Sequence, residues 1–248
     1  MRVQFYAWAE FPQTLHISGS ESHTPTRQPI SISEAATNKN YPRPPYTHGK
    51  KAAKMEKQII LLSGTPCVGK TTISRLLAAD LDGLYLNLTE LAEKEKLARR
   101  QDKKRNTKIV DESEMRRKLK EIINTTEKSA VIIDGHFAPV VTPNAVAKVF
   151  VLRRNPVELK YLMEERGYKD QKLWENLASE ILDICLIEAL EVHGEKRVCE
   201  MDITGKEAEA VVKDILAVLQ NRKRCQVGCV DWLGMLENQG ILAEYLRY

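Results

Sequence analysis

A chain of 248 residues has room for one large domain, or for a medium one with appendages. Its 43% hydrophobic and 29% charged content supplies a globular core, and a formal net charge of +4 gives no ground by itself for a nucleic-acid partner. No run approaches the roughly 20 consecutive apolar residues that cross a bilayer. An apolar signal core and a small-residue cleavage site are both missing from the N-terminus, so a cytoplasmic location is expected. Five cysteines (Cys67, Cys185, Cys199, Cys225 and Cys229), with no CxxC pair, point to free thiols in a reducing compartment.

Residues 1–54 are rich in Pro, Ser, Thr and Asn and lack sustained periodicity. Such a segment buries too little apolar surface to offset its ordering entropy, so a disordered extension is expected. Its aromatic opening, MRVQFYAWAEF, leaves a short interaction element as the alternative.

From residue 55 to 220 apolar runs alternate with helical periods. Strands are expected at 58–63, 84–88, 130–133, 147–152 and 197–201. Helices are expected at 70–81, from a Thr89 cap towards residue 98, and at 156–166, 170–190 and 206–220. Asp111 and Glu114 resemble a capping box at a further helix start. Strands alternating with helices mean βαβ units, and so an α/β fold with a parallel sheet. The charged stretch 99–108 reads as a solvated face or loop, with attraction to phosphate or RNA backbone as the alternative. After residue 220 come a basic cluster and an amphipathic stretch with Trp232, Leu233, Leu236, Ile241 and Tyr245. That tail, 221–248, either packs back on the domain or meets a partner.

The strongest chemical signal is Gly64-Thr-Pro-Cys-Val-Gly69-Lys70-Thr71, which satisfies GxxxxGK[ST]. It lies directly after an apolar strand and directly before a helix, the setting in which this pattern forms a phosphate-binding P-loop. Successive backbone amides and the helix N-terminus make a concave anion site there. Lys70 would place its ammonium on the β- and γ-phosphates of ATP, and Thr71 would offer its hydroxyl to Mg²⁺. Asp134 ends the run AVIID, on the ligand edge of a parallel sheet, and suits the same metal. His136 follows two residues later; phosphate contact and purely local hydrogen bonding both remain open for it. Arg153 and Arg154 end the next strand, and Arg166 ends a helix at Arg166-Gly167. Each could neutralise phosphate charge or sit as a solvated cation. Cys225-x-x-x-Cys229 has no zinc-spaced partners and is read as no metal site.

Six segments together resemble the nuclear-type adenylate kinases in their archaeal form, small kinase/ATPase proteins linked to small-subunit ribosome maturation. They are IILLSGTPCVGKTT (59–72), LNLTELAEKEKL (86–97), IVDES (109–113), VIIDGHFA (131–138), VFVLRRNP (149–156) and ERGYKDQKLWENLASEI (165–181). The likeness covers 55–220 and extends to the tail around Asp231-Trp232, leaving 1–54 uncovered. It implies an adenylate-kinase-like five-stranded sheet, an NMP-binding region over 86–110 and a short lid over 165–175. It also implies that Thr65, Pro66, Cys67, Val68, Gly69, Lys70, Thr71 and Thr72 hold ATP, with Arg166 as the lid arginine. Asp134 and His136 would be the family's Asp-x-His motif, tied to Mg²⁺ placement and catalysis. AMP is the implied acceptor, with ATP hydrolysis beside it, and the ribosomal protein uS11 and pre-ribosomal RNA are the implied partners. Cys67 stands where many members have Gly, Glu93 where many have an arginine, and Leu162 where some have a second one.

Overall fold

The computed structural model describes residues 57–102, 107–135 and 141–247. The expectation for 1–54 lies outside the described residues.

Five parallel strands form the sheet: β1 (Gln58–Ser63), β2 (Leu84–Asn87), β5 (Ala130–Asp134), β6 (Val146–Arg153) and β7 (Val198–Asp202), in the order β2-β5-β1-β6-β7. The three central strands are nearly continuous apolar runs because both faces are covered. Their alternate residues divide between two cores. Ile59, Leu61, Val131, Ile133, Val149 and Val151 pack on one face against α2 (Leu88–Lys94), α3 (Glu112–Thr125) and α6 (Ile184–His193). Ile60, Leu62, Ile132, Phe150 and Leu152 pack on the other against α1 (Lys70–Asp80) and α7 (Ala208–Leu219). The period of two along each strand makes this division possible.

A third apolar cluster joins α4 (Pro156–Glu165) and α5 (Asp170–Ile181) to the C-terminal segment, where α8 (Trp232–Asn238) and α9 (Leu242–Tyr245) bury Trp232, Leu236 and Tyr245. Before α8 that segment runs beside β7, where Glu200 N donates to Gln226 O.

Several local expectations are corrected. The charged stretch is not a bare loop: β3 (Ala98–Asp102) and β4 (Thr107–Val110) pair antiparallel, with 103–106 outside the described residues. The helix expected over 170–190 breaks in two, because Asp183 takes a left-handed conformation (φ 58°) and gives its carboxylate to Arg153. Asn87, not Thr89, caps α2, accepting from Thr89 N and Glu90 N. At α3 only half of the capping box forms: Asp111 caps, but the Glu114 carboxylate turns to Arg117. The cysteines are not all free thiols. Cys199 on β7 and Cys225 lie 5.1 Å apart at Cα and are disulfide-bonded, leaving Cys67, Cys185 and Cys229. Among the described residues, no helix is long and apolar enough to cross a membrane.

Candidate active site

The loop between β1 and α1 turns on backbone that few residues can adopt. Gly64 has φ 138°, and a Cβ there would lie 2.5 Å from the Leu152 carbonyl oxygen. Gly69 has φ 114° and stands at the N-terminus of α1. Cys67 takes φ 67°, so the loop keeps its left-handed turn although a side chain has replaced the hydrogen. Pro66 and Val68 are buried within the loop, and Thr72 is exposed on the first turn of α1.

Lys70 is 8% exposed, and its ammonium bridges the loop, donating to Gly64 O at 2.7 Å and Thr65 O at 3.0 Å. It therefore crosses the mouth of its own loop, held by acceptors that a phosphate oxygen can replace. Thr65 enters through its backbone only. Its hydroxyl is buried and donates to Glu180 Oε2 at 2.5 Å.

Thr71 and Asp134 come from different parts of the chain and meet. Thr71 Oγ1 donates to Asp134 Oδ2 at 2.7 Å. Strand register explains the meeting: Asp134 lies level with Leu62 on one side and Asn87 on the other, at the carboxyl edge of the sheet. Two further groups converge on the same oxygen, Tyr85 OH and Asn87 Nδ2, each at 3.0 Å. Burial, together with the Asp134 charge, pushes the Tyr85 phenol up to about 12, so it stays protonated and remains a donor. A hydroxyl and a carboxylate are hard oxygen donors that suit Mg²⁺, which takes one or two carboxylates and completes its shell with water and phosphate. Among the described residues there is no cluster of three or more His, Cys, Asp or Glu that would hold a metal by protein ligands alone.

The three arginines separate. Arg153 is corrected: it is not at the ligand edge but 1% exposed, bound to Glu180 Oε1 at 2.9 Å, Glu200 Oε1 at 2.5 Å and Asp183. Burial alone would lower its pKa, but the Glu180 and Asp183 carboxylates outweigh this and raise it. Arg154 touches the loop, donating to Val68 O at 3.2 Å, and its other arm is held by Glu158. Arg166 caps α4 and is exposed. Burial raises the Cys67 thiol pKa against the opposing pull of Arg166, which places the Arg166 guanidinium beside the loop. His136 lies outside the described residues.

Sequence reasoning missed Tyr85, Asn87 and Glu180. Asn87 ends a strand that was expected, and strand ends on a parallel sheet face the ligand. Glu180 falls on the apolar stripe of α5 among Leu173, Leu177 and Ile181, and a charge on a buried face was its signal.

Comparison with known proteins places the chain in a family. An AAA domain family matches residues 60–183. A Thermococcus kodakarensis protein named "Putative adenylate kinase" is 39% identical over 175 residues, 70% of this chain and 92% of its own length. Proteins with the same name are 35% identical in Methanocaldococcus jannaschii, over 70% of this chain and 92% of that protein. In Pyrococcus furiosus the figures are 35%, 76% and 97%. The chain belongs to this adenylate-kinase-like family.

Proposed function

We propose that this chain is an ATP-dependent nucleotide kinase that transfers the γ-phosphoryl group to AMP, giving two ADP. The observation that carries the proposal is the convergence of Thr71, Tyr85 and Asn87 on one oxygen of Asp134, beside a loop whose lysine reaches across its mouth. The names of the relatives support AMP as acceptor.

Phosphoryl transfer of this kind needs positioning and charge neutralisation more than a strong base. In this reading the amides between Gly64 and Thr71 hold the polyphosphate. Lys70 exchanges its two carbonyl acceptors for β- and γ-oxygens and follows the migrating charge. Arg154 stands at the loop, and Arg166 approaches from the turn between α4 and α5, which acts as the lid and excludes water. Thr71 and Asp134 would hold Mg²⁺, which would supply positive charge to offset that of the phosphates. Tyr85 and Asn87 fix the orientation of the Asp134 carboxylate. His136 completes the Asp-x-His motif.

A second activity, ATP hydrolysis during small-subunit maturation with uS11 and pre-ribosomal RNA as partners, is favoured by the hairpin β3–β4. In sequence, 99–108 carries six Lys and Arg residues, a run of the kind that attracts phosphate. The acceptor is tested by a coupled assay with AMP, CMP, GMP and UMP against a control without acceptor. AMP should give the largest ADP yield. Turnover no greater than the control with all four would end the kinase reading, and stimulation by a ribosomal protein–RNA complex alone would favour hydrolysis.

A further inference from the structure

Glu180 lies on α5, outside the phosphate loop, yet four donors from three other parts of the chain end on its carboxylate. Thr65 Oγ1 donates to Oε2 at 2.5 Å, while Arg153 Nε (2.9 Å), Arg154 N (3.1 Å) and Trp232 Nε1 (3.1 Å) share Oε1. Glu180 is 2% exposed, Thr65 0% and Trp232 8%, so none of these bonds competes freely with water. A carboxylate offers about four lone-pair sites; here three donors share Oε1 and one holds Oε2. The C-terminal segment is pinned at a second point nearby: Cys229 N donates to Glu200 Oε2 at 2.9 Å, and Glu200 in turn holds Arg153. One unbroken chain of charge-assisted hydrogen bonds therefore runs from the tail to the first residue after Gly64.

We propose that Glu180 is a positioning residue for the phosphate loop and that Trp232 sets it, so that the C-terminal segment controls nucleotide affinity through one buried carboxylate. This rests on the loop binding ATP, as proposed above. The physical argument is one of competition. Thr65 has a single hydroxyl hydrogen, and its direction is fixed by where Glu180 Oε2 lies. Its carbonyl is one of the two acceptors that Lys70 must leave when phosphate arrives. If the indole N–H is lost, Oε1 is held by the Arg153 and Arg154 donors alone, which draws the carboxylate towards β6 and loosens the Thr65 anchor. Bonds in a dry, linked network polarise one another, so loss at one end is felt at the other. Packing alone does not require the indole nitrogen, because the third cluster buries the Trp232 ring through apolar contacts.

The test uses the full chain. Trp232→Phe keeps one aromatic ring and removes the donor together with the second ring, and the urea midpoint reports the packing lost with it. ATP affinity is measured by calorimetry, the KM for AMP by coupled assay, and stability by urea unfolding. The expected result is an ATP Kd weakened about three- to tenfold, the scale of one ordinary intramolecular hydrogen bond, with the KM for AMP unchanged. In the unaltered protein, saturating ATP should slow amide hydrogen exchange across residues 229–236, a readout that needs no variant to fold. An ATP Kd unchanged in Trp232→Phe, or exchange at 229–236 indifferent to ATP, overturns the proposal while leaving the kinase reading standing. Failure of the unaltered chain to bind ATP overturns both.

Discussion

Replacing Gly64 by alanine tests whether the phosphate loop is held by backbone geometry. At φ 138° an L-residue is strained by about 1–3 kcal/mol before any contact is counted. The new methyl would then stand 2.5 Å from Leu152 O and 3.2 Å from Val68 Cγ1, whereas ordinary contact begins at 3.4 Å. The carbonyl has little freedom to retreat, because β6 is paired with β1 on one side and β7 on the other. Strain and overlap together should cost about 3–5 kcal/mol, a large part of the roughly 5–15 kcal/mol that keeps a domain folded. With a urea slope of about 2–3 kcal/mol per molar, the unfolding midpoint should fall by about 1–2 M. Gly205 is the control: its φ is also positive (63°), but nothing lies within 4 Å of its Cβ position. Gly205→Ala should therefore cost only the left-handed strain, about 1–2 kcal/mol. Equal midpoints for the two variants would refute the argument that the crossing of the loop over β6, and not backbone conformation alone, demands glycine.

The remaining predictions concern buried charge and a half-buried thiol. Arg153→Met should destabilise the protein by about 3–5 kcal/mol in urea unfolding, because it strands the Glu180 and Glu200 carboxylates without their cation; a loss under about 1 kcal/mol would show that the network is not energetically coupled. Burial pushes the Cys185 thiol up to about 12 from 9.0, so its thiolate is scarce near neutral pH. At pH 8 the folded protein should be alkylated at Cys185 roughly a thousandfold more slowly than the urea-unfolded chain, followed by peptide mass spectrometry. A folded pKa above the unfolded one also means that this group's contribution to stability is full below pH 9.0 and is lost as pH rises towards about 12. Comparable alkylation rates in the two states would contradict the burial.

The sheet was legible because its three central strands bury both faces and so read as apolar runs, and because Gly and Lys at P-loop spacing fix where the first strand meets the first helix. Asp134 was legible for the same reason: it ends such a run. The hairpin β3–β4 was not, since ten residues with six positive charges carry no strand periodicity. The break between α5 and α6 was hidden too. Nothing in the pattern of 170–190 marks Asp183 as left-handed; its conformation is held by a guanidinium some 30 positions away in the chain. Arg153 was misplaced because the end of a parallel strand usually faces ligand, whereas here three carboxylates from α5, the α5–α6 junction and β7 draw it inward. Long-range charge pairing is the information that a local pattern lacks.

The claim on which the account stands is that Lys70 serves a transferring phosphate and is not merely a clasp for its own loop. Lys70→Ala, assayed for ADP formation from ATP and AMP with urea unfolding as a fold control, tests it most directly. The account predicts a folded variant whose turnover falls by about a hundredfold or more. A folded variant that still produces two ADP per AMP at the rate of the unaltered protein would contradict it.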